Sequence, residues 1–412
     1  NTPSGARIKM GLSIERKSVG HQQSQKMTKD DFAFDVDDQP FTRNRRKSFT
    51  VPSRYYLDPA VYDAEKEAVF YRNWWLVGHV NRFSQTGSYL RVDVQDQGIL
   101  VVKGRDGEIR GFYNVCQHRG HELIKNDSGH LKNRIVCPYH SWTYDFDGTL
   151  VRARNTEDLP DFNKCNFGLK SVRVEIVADF VYVNLDPDAE SLNDQTVGLE
   201  QEIRHYMPKL AELGYAGRVT YEVACNWKVL VDNFLECYHC HPAHPALVDL
   251  MDMDSYTTTT YSIHSSHIAA APRSESNAAY SFEKGDVDFG YAAWYLWPNQ
   301  TIWAYPGEPL ILTLQIIPIG AEKSIEYLDC YTLEGKRTKQ LDDAITYMDE
   351  VLQPEDIGLC ESVQKGLRSK GYNQGRFVVD ETESELSEHA VHHFQELLLD
   401  ALECVKIDWK KT

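Results

Sequence analysis

Two short segments of the chain each pair a cysteine with a histidine. The first is Cys116-Gln-His118, and the second, after eighteen intervening residues, is Cys137-Pro-Tyr-His140. Two thiolates and two imidazoles at this spacing can hold one [2Fe-2S] cluster, with both sulfur ligands on one iron and both nitrogen ligands on the other. Imidazole ligation raises the reduction potential above that of an all-cysteine cluster. The pattern therefore predicts a centre that transfers single electrons.

Structural zinc is the alternative for these four residues. Zinc sites usually take Cys-x-x-Cys pairs, or two cysteines with two clustered histidines, and interleaved Cys–His pairs fit that pattern poorly. We therefore interpret the four residues as ligands of a Rieske-type cluster, which leaves no role for the nearby His121. The remaining isolated cysteines are expected to be small buried hydrophobic residues: Cys165, Cys225, Cys330, Cys360 and Cys404.

A second group of candidate ligands lies in the segment from Trp227 to His244. The residue pattern predicts a helix from Trp227 onward, in which Asp232, Glu236 and His239 share one face at i, i+4 and i+7. His244 can meet the same ion as His239 only if that helix ends between the two histidines.

The prolines of this segment favour such an ending. Pro242 and Pro245 lie just after His239, and proline interrupts a helix. Two imidazoles that converge in this way bind a divalent transition metal. One carboxylate in addition gives the facial triad of non-haem Fe(II) oxygenases, which leaves coordination positions open.

The third ligand is sought in a helix that opens near Pro354. Asp356 lies on the apolar stripe of this helix, and a buried carboxylate needs a partner such as a metal ion. The alternative is an acid in the first helical turn, which the helix dipole favours without any metal. Glu355 and Glu361 are further candidates, and the sequence leaves these interpretations open.

Composition limits the possible partners. The chain of 412 residues has 42% apolar residues and a net charge of −17, so nucleic acid is excluded as a probable ligand class because phosphate binding needs a basic surface. No apolar run is long enough to span a bilayer, so no membrane association is expected. Nine cysteines without a disulfide-like framework predict a reducing, cytoplasmic location.

Four segments are predicted along the chain. Residues 1–48 form a flexible polar arm, and residues 49–74 form a helical lead-in that packs on the catalytic domain. Residues 75–188 show short alternating runs separated by turns, which is typical of a small all-β domain. Residues 189–412 mix strands with longer helices, which predicts an α+β domain with an antiparallel sheet.

From about residue 50 the chain resembles the large subunit of Rieske-type non-haem iron oxygenases. The resemblance rests on Cys116-x-His118, Cys137-x-x-His140 and Asp232-Asn233-x-x-Glu236-x-x-His239-x4-His244. It implies a Rieske [2Fe-2S] domain followed by a helix-grip catalytic domain. It also implies one mononuclear Fe(II) held by His239, His244 and Asp356.

The same resemblance implies roles for the residues that precede His239. Glu236 stands where the family usually has aspartate, the acid that links a cluster histidine of one subunit to an iron histidine of its neighbour. Asn233 and Asp232 are the other candidate catalytic residues. The resemblance also implies a homotrimer with intersubunit electron transfer. Because the chain has no Gly-x-Gly-x-x-Gly or flavin motif, a separate NAD(P)H-dependent reductase is expected to supply the electrons.

Glutamate at position 236 and the segment around Asp356 resemble the branch that acts on quaternary ammonium compounds. Carnitine monooxygenase, glycine betaine monooxygenase and stachydrine demethylase belong to that branch. The resemblance implies oxidative N-demethylation or cleavage of a betaine with O2, and it places Glu361 near the iron ligands as a second acid. An aromatic segment independently favours a cationic substrate, because quaternary ammonium groups bind over aromatic faces. Its candidate substrate-binding residues are Trp294, Trp297, Trp303 and Tyr305.

Three other functions compete with this interpretation. A Rieske oxygenase that hydroxylates an aromatic ring would share the fold, although the glutamate at position 236 argues against it. An electron carrier with a Rieske cluster would need neither a second iron nor a large second domain. A protein that only binds or senses quaternary ammonium compounds would not need the intact set of ligands.

Overall fold

The structure, a computed structural model, describes residues 38–271, 278–282, 290–405 and 407. Most of the predicted arm, residues 1–37, lies outside this range. The rest of that arm contacts the C-terminal part of the chain. Phe41 stacks on His392 with ring centroids 4.6 Å apart, and Arg376 donates hydrogen bonds to the carbonyl oxygens of Arg46 and Ser48. These contacts hold residues that the sequence assigns to a flexible arm.

A helical lead-in precedes the first sheet. It consists of α1 (Arg54–Leu57), α2 (Pro59–Glu65) and a π-helical turn (Lys66–Phe70). Glu65, which is fully buried, accepts hydrogen bonds from Lys228 Nζ at 2.5 Å and from Trp227 Nε1 at 2.8 Å. Tyr56 donates a hydrogen bond to Asp232 at 2.6 Å. The lead-in is therefore joined to the segment that precedes the candidate iron ligands.

Ten short strands follow, and all of their pairings are antiparallel. They are β1 (Trp75–His79), β2 (Ser88–Val94), β3 (Gln97–Lys103), β4 (Ile109–Tyr113), β5 (Ser128–His130), β6 (Ile135–Val136), β7 (Thr143–Tyr144), β8 (Leu150–Arg152), β9 (Ser171–Val177) and β10 (Phe180–Asn184). Seven of them form the first sheet, in the order β1-β10-β9-β4-β3-β2-β5. Strands β6, β7 and β8 form a smaller sheet.

Two helices, α3 (Leu192–Gln195) and α4 (Leu199–Tyr206), lead to the second sheet. Its strands are β11 (Leu213–Val223), β12 (Asp252–Thr260), β13 (His264–Ala270), β14 (Tyr291–Leu296), β15 (Gln300–Ala304), β16 (Leu310–Gly320) and β17 (Lys323–Leu333). Their order is β11-β17-β16-β15-β14-β13-β12, and each pairing is antiparallel.

The inner strands β14 and β15 of the second sheet are buried on both faces. Side chains alternate along each strand, so neighbouring residues belong to different cores. One face, here called the cavity face, carries Ala293, Trp303 and Leu314. The opposite face, here called the outer face, carries Trp294 and Ile302, and it packs against residues of the first sheet, α3 and α4.

Helices cover the cavity face. They are α5 (Trp227–Phe234), α6 (Cys240–Ala243), α7 (Pro245–Val248), α8 (Lys339–Tyr347), α9 (Gln353–Leu367) and α10 (His389–Leu402). A π-helical turn (Met348–Leu352) connects α8 to α9. Short 3₁₀ turns lie at Arg45–Lys47, Val80–Arg82, Lys164–Phe167 and Leu210–Glu212. Helix α9 packs on α5, which brings two distant parts of the sequence together above the sheet.

The predicted fold class is confirmed: an all-β domain is followed by an α+β domain with an antiparallel sheet. The strands are antiparallel because hairpin connections join most of them, as the turn signals indicate. Within the described ranges, no helix combines the length and the apolar character needed to cross a membrane.

Candidate metal centres and substrate cavity

The four candidate cluster ligands lie in two loops with matching backbone geometry. The amide of Cys116 donates to the carbonyl of His121 at 2.8 Å, and the amide of Cys137 donates to that of Trp142 at 2.8 Å. In each loop the fourth residue after the cysteine has a left-handed backbone, with φ of +71° at Gly120 and +60° at Ser141. Such tight turns point successive groups toward one centre.

The cysteines and the histidines of these loops differ in their exposure to solvent. Both cysteines are 2% exposed, whereas His118 is exposed and His140 is half-buried. The two imidazole rings lie 4.7 Å apart between centroids, and Trp142 stacks on His118 at 10°. The donor set thus fits a cluster with its sulfur-ligated iron inside the domain and its nitrogen-ligated iron toward the surface.

One further residue contacts the sulfur side of this site. Tyr144 Oη lies 3.2 Å from Cys116 Sγ and accepts a hydrogen bond from the amide of Gln117 at 3.0 Å. Because that amide is the donor, the hydroxyl hydrogen is available to a Cys116 thiolate. His121 instead bonds through Nδ1 to the carbonyl of Glu122 at 2.5 Å.

The segment of the candidate iron ligands differs from the predicted helix. Helix α5 ends at Phe234, so Glu236 and His239 lie beyond it. The prediction that Asp232, Glu236 and His239 share one helical face is therefore wrong. His239 instead occupies the N-terminal cap of the short helix α6, and His244 lies at its C-terminal end, immediately before α7. Because only one helical turn separates the two histidines, both imidazole rings face the same point.

Asp356, in the first turn of α9, completes a group of three possible metal ligands. One ligand atom from each of His239, His244 and Asp356 can be chosen so that all three lie within 4.8 Å of one another. His244 Nε2 lies 2.9 Å from Asp356 Oδ1, and His239 Nε2 lies 3.6 Å from the same oxygen. The two rings are 5.0 Å apart between centroids.

The far nitrogen of each histidine is bonded to a glutamate. His239 Nδ1 lies 2.5 Å from Glu236 Oε1, and His244 Nδ1 lies 2.8 Å from Glu355 Oε2. Carboxylates on Nδ1 fix the ring orientation and direct the lone pair of Nε2 toward the common centre, as is usual for metal-bound histidines. The donor set fits one divalent iron with positions left open. Glu355 is thus a partner of His244.

The acids around the two histidines favour protonation of the imidazoles. Burial opposes ionisation of His239, yet hydrogen bonds with Asp356 and Glu236 raise its pKa to about 10. The pKa of His244 is also raised, against burial, by Asp356 and Glu355. Burial would raise the pKa of Asp356, but the two histidines lower it to about 2. Metal binding therefore has to displace protons from the imidazoles.

Three other predicted residues have different surroundings. Asn233 Nδ2 lies 3.4 Å from His239 Nε2, which places it beside the iron ligands. The carboxylate of Asp232 instead accepts hydrogen bonds from Tyr56 and Gln395, and burial raises its pKa to about 7. Glu361, expected near the ligands, accepts a hydrogen bond from the amide of Ala224 at 3.0 Å. The structure therefore brings Asn233 to the centre but neither Asp232 nor Glu361.

A cavity opens on the iron-ligand side of the cavity face. Its wall includes His239, His244 and Asp356. Its apolar lining comes from α5, from α7 and the residues after it, from the sheet and from the π-helical turn before α9. It contains Leu230, Phe234, Leu247, Met251, Tyr256, Tyr291, Trp303, Tyr305, Leu314 and Leu352. An aromatic cavity with metal ligands at one side is the usual form of a small-molecule site.

Two of the four predicted aromatic residues line this cavity. Trp303 and Tyr305 are two residues apart and share the cavity face. Trp294 belongs to the outer face, where its Nε1 donates to Glu202 at 3.1 Å. Trp297 packs against Trp227 and Phe394. The prediction that Trp294 and Trp297 bind substrate is therefore not supported, because strand alternation and packing direct them elsewhere.

Several cavity residues were not identified from the sequence. Phe234 is stacked on Trp303 at 3°, and Tyr256 and Tyr291 form another part of the wall. Glu326 was detectable, because it is an acid on the same face of β17 as the buried Leu328 and Cys330. A disulfide between Cys237 and Cys240 also lies at the wall, although no disulfide is predicted from the cysteine spacing. Cys165 and Cys404, expected to be buried, are exposed.

Comparisons with known proteins agree with this arrangement. Residues 73–163 match the Rieske [2Fe-2S] domain, and residues 210–403 match the ring hydroxylating alpha subunit (catalytic domain). The chain is 37% identical to the carnitine monooxygenase oxygenase subunit of Escherichia coli (strain K12), over 87% of this chain and 95% of that protein. It is 30% identical to chloroplastic choline monooxygenase of Beta vulgaris, over 86% and 78% of the two chains.

A solved structure of a quaternary ammonium Rieske monooxygenase is similar throughout. It has a TM-score of 0.82 and 35% sequence identity, and the match covers 89% of this chain and 100% of that one. These relatives are monooxygenases, so the interpretation as a simple electron carrier is wrong. The chain belongs to the Rieske non-haem iron oxygenases, as an oxygenase subunit with one Rieske [2Fe-2S] cluster and one mononuclear iron.

Proposed function

We propose that this subunit oxidises an N-methyl group, or an adjacent carbon–nitrogen bond, of a quaternary ammonium betaine. In the demethylation, O2, two electrons and two protons convert the N-methyl group to a carbinolamine and one molecule of water. The carbinolamine then breaks its C–N bond and releases formaldehyde, a tertiary amine and one proton. Carnitine, glycine betaine and proline betaine (stachydrine) are the candidate substrates.

The observation that carries this proposal is the aromatic cavity beside the group of three metal ligands. Trp303 and Tyr305 expose aromatic rings in the same cavity as His239, His244 and Asp356. A quaternary ammonium group cannot donate a conventional hydrogen bond, and aromatic faces attract it through their quadrupole. A cation held there would have its methyl groups close to the metal centre.

The chain's own residues prepare this centre. His239, His244 and Asp356 would hold the iron, which when bound supplies the oxidation of the C–H bond with O2. Glu236 and Glu355 keep both imidazoles oriented, and Asn233 lies against the edge of His239. The apolar walls exclude water from the bound methyl groups, which limits side reactions.

We further propose that the protein works as a homotrimer in which clusters and cavities of neighbouring subunits face each other. Glu236 and His239 line the substrate cavity and also a second cavity on their other side. That second cavity is bordered by Leu359, Val363 and Tyr372, which are at least 40% exposed. His140 or His118, which are both accessible at the surface, would contact Glu236 of the partner subunit there. A separate NAD(P)H-dependent reductase would reduce the cluster.

The proposal is tested with the iron-loaded protein and a ferredoxin-type reductase that oxidises NAD(P)H. Carnitine, glycine betaine, proline betaine and choline are compared with benzoate, which represents ring hydroxylation. Oxygen uptake, formaldehyde and released trimethylamine are measured together, because they distinguish demethylation from C–N cleavage. We expect product in step with oxygen uptake for at least one quaternary ammonium compound and none for benzoate. Turnover of benzoate alone would overturn the proposal.

A further inference from the structure

One acidic residue of the cavity has no role in holding the metal centre. Glu326 lies on β17, where it is opposite Ile316 of β16 and Tyr221 of β11. Its side chain lines the cavity from the floor of the sheet, and the residue is 3% exposed. The group of three metal ligands does not include it.

One carboxylate oxygen of Glu326 also has no hydrogen-bonding partner among the described residues. Its Oε2 atom is buried and accepts no hydrogen bond from any described residue. Other buried carboxylates of this chain are paired: Glu65 with Lys228 at 2.5 Å, and Asp329 with Arg218 at 2.6 and 2.8 Å. An unpaired buried carboxylate is costly, and burial followed by the charge of Asp356 raises the pKa of Glu326 to about 8.

The other acids of the same cavity already have cationic or imidazole partners. Glu236 is bonded to His239, and Asp356 faces both His239 and His244. Glu326 is therefore the cavity acid whose ionised form no described residue stabilises. A bound cation would stabilise that form.

The surroundings of Glu326 define the kind of cation. Trp303, Tyr305 and Tyr291 belong to the same cavity wall, with Trp303 and Tyr305 6.1 Å apart in an edge-to-face arrangement. Aromatic faces beside a carboxylate suit a group that is positively charged but bears methyl groups in place of N–H bonds. A metal ion or a primary amine would need several polar ligands.

We infer that Glu326 is the anionic partner of the substrate's quaternary nitrogen and determines the preference for a cation over an uncharged group of the same shape. This inference deepens the proposed function and rests on it. The aromatic rings would contribute shape and part of the attraction. The carboxylate would contribute the charge term, which an apolar cavity leaves unscreened.

The test compares cations with their carbon isosteres, in which a quaternary carbon replaces the nitrogen. The pairs are choline with 3,3-dimethylbutanol, and glycine betaine with 3,3-dimethylbutanoate. Binding to the iron-loaded, full-length protein is measured by calorimetry for the wild type, Glu326→Gln and Glu326→Leu. The control variant is Glu222→Gln, since Glu222 lies on the neighbouring strand β11, is exposed and pairs only with Lys323 among the described residues. Cluster absorbance and iron content check that each variant is intact.

We expect the wild type to prefer the cation, and Glu326→Gln and Glu326→Leu to bind it at least about tenfold more weakly with little change for the isostere. Glu222→Gln should match the wild type. If intact Glu326 variants keep the wild-type preference, or if the wild type itself binds both members of a pair equally, the inference is overturned while the proposed function stands. If the wild type binds and oxidises no quaternary ammonium compound, the proposed function fails as well.

Discussion

The cluster site and the iron site of this chain are built in opposite ways. The cluster ligands come from two short loops, and their histidines His118 and His140 reach toward the surface. The iron ligands come from two segments that are more than a hundred residues apart, His239 with His244 and Asp356, and they meet at a buried cavity. One site is local and outward; the other is assembled by the tertiary fold.

This difference reflects what each site must exchange. An electron can enter through an exposed imidazole, so the cluster needs only a rigid loop pair near the surface. A methylated cation has to be enclosed by aromatic side chains and separated from water, which requires the sheet and the helices above it. Glu236, bonded to His239 and lining cavities on two sides, is the residue at which the two requirements meet.

Removal of a single iron ligand should show most clearly that the two metal sites are filled independently. In Asp356→Ala, the iron content is expected to fall from three atoms per chain to two, and turnover should drop to background. The cluster absorbance should remain, because Cys116 and Cys137 lie in a different domain. Metal analysis with visible spectroscopy measures both. Three retained irons would point to Glu355 as the ligand instead, and a lost cluster would contradict the independence of the sites.

Glu236→Gln tests the connection between the sites. Both metal centres should stay filled, whereas turnover should fall about 100-fold, since the amide cannot hold His239 Nδ1 as the carboxylate does. Glu361→Gln is the matched control, because the structure bonds Glu361 to the amide of Ala224 and not to the ligands. The measurement is product formed per electron supplied. Equal losses in both variants would contradict the placement of Glu361.

The two faces of the second sheet can be compared with tryptophan replacements. Trp303→Leu removes a ring from the cavity and should raise KM for the quaternary ammonium substrate about tenfold. Trp294→Leu removes a ring from the outer face and should instead lower the free energy of unfolding by about 3 kcal/mol while KM stays near the wild-type value. Steady-state kinetics and thermal unfolding distinguish the two effects. A larger KM change for Trp294→Leu would reverse the assignment of the faces.

The smallest expected effect concerns the cluster alone. Tyr144→Phe removes the hydroxyl that lies 3.2 Å from Cys116 Sγ. Loss of one hydrogen bond to the sulfur should disfavour the reduced, more negative cluster and lower its reduction potential by about 40 mV, the equivalent of roughly 1 kcal/mol for one electron. Spectroelectrochemistry measures this shift. An unchanged potential would show that the hydroxyl does not donate to the cluster's ligand.

Local patterns and long-range packing differ in how far the sequence predicts them. The Cys–His pairs are local, so their spacing alone indicated the cluster and the all-β domain around it. Asp356 stayed one of several acids, because its approach to His244 depends on α9 packing over α5. The end of α5 at Phe234 was missed because the pattern continues past it.

The aromatic residues also show that the sequence does not predict which face of the sheet a side chain occupies. Trp294 and Trp303 were equivalent in the sequence, and only the register of β14 with β15 decides that they point to opposite faces. Glu326 and Asp329 are both acids of β17, yet one faces the cavity and the other pairs with Arg218. Strand alternation could have sorted these pairs once one residue of each strand was assigned to a face.

The most direct test of the account follows the cluster itself during reaction. The pre-reduced protein is mixed rapidly with oxygen and the preferred quaternary ammonium compound, and the visible absorbance of the cluster is recorded along with the product. We expect rapid reoxidation with matching product in the wild type, and a cluster that stays reduced on the same timescale in Asp356→Ala. Reoxidation at the wild-type rate in the variant would contradict the claim that electrons from the cluster are used at the His239, His244 and Asp356 centre.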